Sequence, residues 1–143
     1  MKKGTFGVLM VLALLATTVG AYVVTSAIGS STTIEEPITT SDVALFTSTM
    51  YPGQTNTYTF TVSNAAPDVS YTITLIPTLT LDSGVNAQIS SVTVDGTEIT
   101  PDANGNYVFT IGAGLTSTVD VTIQTTTDSA PGTVSLVITV DRS

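Results

Sequence analysis

Chemistry in a protein chain needs a nucleophile with a base, a tuned acid–base pair, or a metal. This 143-residue sequence has no His and no Cys, and its only basic residues are Lys2, Lys3 and Arg142. The commonest general bases, the reactive thiol and the usual zinc ligands are therefore missing. A Ser–Lys dyad is excluded too, because both lysines lie in the N-terminal leader-like segment. A glycosidase-like carboxylate pair would have to come from the eleven Asp and Glu. Asp68, Asp95, Asp102 and Asp128 fall in turn-like stretches, and the five Tyr and four Phe lie mostly on alternating, core-type faces. The expectation is a protein that is not an enzyme and uses no cofactor or small-molecule substrate. Asp102-x-Asn104-Gly105-Asn106 places oxygens as a calcium loop would. The same residues suit a hairpin turn better, since Asn and Gly tolerate left-handed backbone, so no metal site is expected.

Net charge bounds the partners. With formal charge −8, the chain lacks the Lys and Arg that neutralise phosphates, which excludes nucleic acid. Only 10% of residues are charged and 42% are hydrophobic, so a core can form despite the acidity. Without cysteine there is no disulfide framework, although an exported protein could have used one. No Asn-x-Ser/Thr sequon occurs, while the Thr/Ser-rich composition leaves O-glycosylation open.

The elements that must position any site read as strands. Met1-Lys2-Lys3 followed by the apolar run Phe6 to Ala16 and a small-residue exit at Val19-Gly20-Ala21 reads as an export signal cleaved after Ala21. Two other readings stay open: a retained apolar segment, long enough to span a bilayer if it continues to Ile28, and cleavage after Lys3-Gly4 in the manner of type IV prepilins. The expected division is 1–21 signal, 22–40 donor strand and linker, 41–143 β-domain. Within 22–40, Tyr22, Val24, Ser26 and Ile28 share one face at period two, which predicts an extended strand. Residues 28–40 read as a linker or an exposed edge containing Pro37.

Beyond that, Val43 to Met50 predicts a strand closed by a Tyr51-Pro52-Gly53-Gln54 turn. Thr55 to Ser63 alternates, with Tyr58, Phe60 and Val62 on one face and threonines on the other. Tyr71 to Leu81 is a strand in which Ile76 breaks parity, predicting a bulge or bend at Pro77. Asp95-Gly96 predicts a type I′ hairpin between Ser91–Val94 and Thr97–Thr100. A turn over Pro101–Asn106 leads into Tyr107–Ile111. Leu115–Thr125 and a strand through Val134, Leu136, Ile138 and Val140 complete the set. The fold class expected is all-β, an antiparallel β-sandwich of jelly-roll or Ig-like topology with an N-terminal export segment.

The order of these features (export signal, Gly20-Ala21-Tyr22-Val23-Val24, a short Ser/Thr segment, the Tyr51-Pro52-Gly53-Gln54 turn, and a strand with Thr55, Tyr58, Phe60 and Val62 ending at Ser63-Asn64) resembles the TasA/camelysin biofilm-matrix fibre proteins and related archaeal bundling-pilus subunits. The resemblance covers about residues 18 to 75. It implies a jelly roll whose N-terminal segment completes the next subunit as a donor strand. On it Tyr22, Val24, Ser26 and Ile28 become subunit-binding residues of an extracellular homopolymer, a cell-surface filament in contact with the cell surface or with other filaments. Two alternatives stand beside it: a type IV pilin-like subunit with a retained core helix, and a non-polymerising Ig-like cell-surface module.

Overall fold

A computed structural model describes residues 36–41 and 45–143. The segment carrying Tyr22, Val24, Ser26 and Ile28, and with it the proposed signal and its cleavage points, lies outside the described residues.

Nine strands and no helix occur among the described residues: β1 Ile38–Thr40, β2 Leu45–Met50, β3 Thr55–Asn64, β4 Tyr71–Leu81, β5 Ala87–Val94, β6 Thr97–Ile99, β7 Tyr107–Ile111, β8 Thr116–Thr125 and β9 Gly132–Arg142. They form two sheets, β1-β3-β8-β5-β6 and β2-β9-β4-β7. Every pairing is antiparallel. The sheets pack face to face as a sandwich, as expected from alternating strands that each need one covered face.

Alternation decides what is inside. Phe60, Val62 and Asn64 of β3 point inward against Val119, Val121 and Ile123 of β8. From the other sheet come Ile73 and Leu75 of β4 and Val134, Leu136, Ile138 and Val140 of β9, all buried. Burying one such Val, Leu or Ile contributes about 1.5–3 kcal/mol. With no disulfide to constrain the unfolded chain, these aliphatic layers are the main stabilising element.

Two turns follow their residues closely. Gly53 has φ +71° and Gln54 N–H donates to Tyr51 C=O at 3.1 Å, closing the Pro-Gly turn. Asp95 and Gly96 both have positive φ, 50° and 79°, as the type I′ hairpin requires. The Asp102–Asn106 stretch is a turn in which Asp102 Oδ1 accepts the Asn104 and Asn106 N–H groups.

One expectation is corrected. No bulge or bend occurs at Pro77, because the β4–β9 register runs unbroken from Ile73↔Arg142 through Pro77↔Ile138 to Leu81↔Val134. Ile76 simply faces outward, 36% exposed. Pro77 fits because Thr72, of opposite parity, bonds toward the β9 side through Ser143. The missing N–H of Pro77 therefore points toward β7, whose pairing with β4 stops at Leu75↔Tyr107. The irregularity sits instead in β5, where the register with β8 shifts between Ile89 and Ser91.

Candidate subunit-interaction site

A long strand edge without a described partner belongs to β3. Its inner edge pairs β8 along nine register positions, Thr55↔Gln124 to Ser63↔Thr116. Its outer edge meets β1 only at Val62, Ser63 and Asn64. Main-chain direction along β3 follows from two bonds: Asn64 N–H donates to Leu115 C=O on the β8 side, and Ser41 N–H donates to Thr61 C=O on the β1 side. Since successive residues alternate, Thr55, Thr57 and Thr59 present their N–H and C=O groups outward. No described strand pairs with them there.

Edges like this are usually guarded by charge, above all by Lys, or by shortness or a bulge. Neither β3 nor β2 carries a charged residue. The outer edge of β2 borders the same side of the sandwich, as the inter-sheet contacts between the two strands demonstrate. Phe46 of β2 and Tyr58 of β3 have ring centroids 5.8 Å apart, and Tyr58 stacks on Phe60 at 5.9 Å. Phe60 is buried, whereas Phe46 and Tyr58 remain half-buried at the seam. Farther along, Asn56 Nδ2 donates to Ser48 Oγ at 3.3 Å and Gln54 Nε2 donates to Asn56 Oδ1 at 3.0 Å. Among the described residues, the seam thus combines a backbone row that no strand pairs with two half-buried rings beneath it.

The outer face of the β3 sheet is a hydroxyl ladder. Thr57 and Thr122 hydroxyls lie 3.0 Å apart, Ser63 and Thr116 2.8 Å apart, and Thr59 Oγ1 donates to Asp120 Oδ1 at 2.5 Å. These contacts use side chains, so they leave the outward main-chain groups of Thr55, Thr57 and Thr59 untouched. Asp120, in the middle of a central strand, was not distinguished in the sequence from the turn carboxylates. Its Thr59 and Thr93 partners become visible only once β3 and β5 flank β8.

Two buried groups hold the ends of β3. Asn64, 2% exposed, donates to Val69 C=O and Gly112 C=O at 2.7 and 3.0 Å and accepts from Ala66 N–H at 3.0 Å. Thr125, 1% exposed, donates to Tyr51 C=O and accepts from Gln54 N–H at 2.8 Å. Among the described residues no three of His, Cys, Asp and Glu come together as a metal cluster. No helix among them is long and apolar enough to cross a membrane. The chain matches no protein-family model, no curated protein and no solved structure.

Proposed function

We propose that this chain is a structural, non-catalytic subunit of an extracellular filament, polymerised by donor-strand complementation. In this reading residues Tyr22 to Ile28 of one copy pair with the outer edge of β3 in the next. The strand order carries the argument. A jelly roll wound from eight strands alternates its sheets so that the first, eighth, third and sixth strands lie side by side, opposite the second, seventh, fourth and fifth. Taking β1, β2, β3, β4, β7, β8 and β9 as the first seven, with the β5–β6 hairpin inserted after β4, reproduces the order β2-β9-β4-β7 and the neighbours β3-β8. In that order an eighth strand would lie against the outer edge of β3; here β1 itself pairs that edge at Val62 to Asn64, and no described strand covers it from Thr59 to Thr55. A strand from a neighbour fits that place.

Geometry favours an open chain of subunits over a closed pair. β1 begins opposite Asn64, at one end of the sandwich, so the chain before it arrives there. The edge from Thr55 to Thr59, which no described strand pairs, lies toward the other end. A donor leaving one end and an acceptor at the other make a heterologous contact, which propagates into a filament where the rotation between subunits does not close a ring. Main-chain bonds supply affinity in such strand addition, and alternate side chains set the register. Val24 and Ile28 would cover the half-buried Phe46 and Tyr58, while Val23 and Thr25 would face out.

The test is a paired one. Val24→Asp and Ile28→Asp are expected to abolish filaments with secretion intact, because each would bury an unpaired charge. Val23→Asp is expected to be mild. Identical behaviour of all three refutes the donor register, and indifference of assembly to all three points to a surface module with no polymer. N-terminal sequencing of secreted material adds an independent check: a start at Tyr22 agrees with the reading, and a start at Thr5 indicates a retained pilin-like helix.

A further inference from the structure

The corner where β1 begins holds an ion pair that strand complementation does not require. Arg142, near the end of β9, is the one Lys or Arg beyond residue 3. Its Nε donates to Glu36 Oε1, and its terminal nitrogen lies 3.4 Å from Glu36 Oε2. The two side chains are only 12% and 13% exposed. The guanidinium carbon also sits 5.0 Å from the centroid of the Tyr71 ring at the start of β4. Backbone bonds surround the corner. Ser143 and Thr72 exchange N–H···O bonds at 3.0 and 3.1 Å, and Ala65 N–H donates to Pro37 C=O at 2.7 Å. Three chain regions therefore converge on one cation.

β1 needs such help. It has three residues and, among the described strands, pairs only β3 at a sheet end. Short edge elements with few partners open at low free energy. A guanidinium that engages both carboxylate oxygens and rests on a ring has one orientation, unlike a solvated ion pair. Removing Glu36 would take the carboxylate from a mostly buried guanidinium, and removing Arg142 would take the guanidinium from a mostly buried carboxylate. We propose that the Glu36–Arg142 pair is a latch that incorporates β1 into the rigid sandwich and fixes Glu36 as the point from which the preceding chain departs, beside the end of β9. Without the latch that departure point moves forward past β1, toward Ser41. The proposal concerns the folded domain and stands whether or not the protein polymerises.

Amide hydrogen exchange on the full-length chain tests it, using Glu36→Gln, Arg142→Gln and the double swap Glu36→Arg/Arg142→Glu. The reporters are the Ala65 amide, bonded to Pro37, and the Ser41 amide, bonded to Thr61. In each single variant these two are expected to exchange at least about ten-fold faster, with Val119 and Val121 in β8 unchanged, as local opening predicts. The double swap is expected to recover most of the protection. Unchanged reporters overturn the proposal. So does equal acceleration of the reporters and β8, or failure of both single variants to fold, because the pair would then support the whole domain rather than β1.

Discussion

The two sides of the sandwich end in edges of opposite construction. On one side lie β6, three residues long and carrying Glu98, and β7, five residues long. Both are short, and Asp95 precedes β6. On the other side lie β2 and the ten-residue β3, without a charge between them, and β3 leaves Thr55, Thr57 and Thr59 facing outward. The first side combines short strands with a charge on β6, and Pro77 interrupts the stretch of β4, Ile76 to Leu81, that β7 leaves unpaired; the second is covered only by the three-residue β1 at Val62 to Asn64 and has no charge on β2 or β3. Among the described residues, one fold thus gives two sides guarded to different degrees. On the proposed reading, that difference is where another strand joins.

The sharpest way to break this comparison is to block each edge with the same residue. Thr57→Pro removes an outward N–H and its ring obstructs the β3 edge, so polymer is expected to vanish while the domain folds. On β7, Phe109 bonds toward β4 because it pairs Ile73, so Val108 presents its N–H outward. Val108→Pro should leave assembly intact. Electron microscopy of the secreted variants checks both. Loss of polymer in Val108→Pro, or its persistence in Thr57→Pro, would remove the distinction between the sides.

The next effects belong to the shared core and should not discriminate between the edges. Leu136, fully buried in β9, is expected to cost about 2–5 kcal/mol on substitution by Ala, measured by denaturant unfolding. Asn64→Ala strands Val69 C=O, Gly112 C=O and Ala66 N–H, and a loss of about 1–3 kcal/mol is expected. Because Asn64 anchors the end of β3 where β1 pairs, that loss should come with faster exchange at Ala65. A core substitution such as Leu136→Ala should not produce that local signal.

The smallest effect is alkaline. Burial pushes the Tyr107 phenol above its ordinary value. Its proton is therefore lost first in the unfolded chain. The resulting contribution to stability is complete below the ordinary tyrosine range, about pH 10, and declines as pH rises above it. Tyr107→Phe should flatten that part of the stability–pH curve.

Much of this was legible in the residues. Alternation through Tyr58, Phe60 and Val62, and through Val134 to Val140, located strands and their inward faces, because period two is a property of each strand alone. Asp95-Gly96 located a hairpin, because the turn conformation is local. Pro77 misled for the opposite reason. Whether a strand tolerates proline depends on which neighbour its missing N–H would face, and that is set by where β7 stops. The stretch of β3 that no described strand pairs was illegible on the same ground: an edge has no residue signature, and it emerges only from knowing which strands pair. Arg142 was visible as a lone cation, but its partners, Glu36 and Tyr71, lie far away in sequence. The 87–90 part of β5 was missed because the shift between Ile89 and Ser91 interrupts the alternation there.

The most direct test of the central claim is a side-chain-resolution structure of the assembled material by electron cryomicroscopy. Residues Tyr22 to Ile28 of one subunit are predicted to lie extended and antiparallel to β3 of the next, bonded to Thr55, Thr57 and Thr59, with Val24 and Ile28 over Phe46 and Tyr58. A helix formed by residues 5–28 in a filament core, or a β3 edge left facing solvent in every subunit, would contradict it.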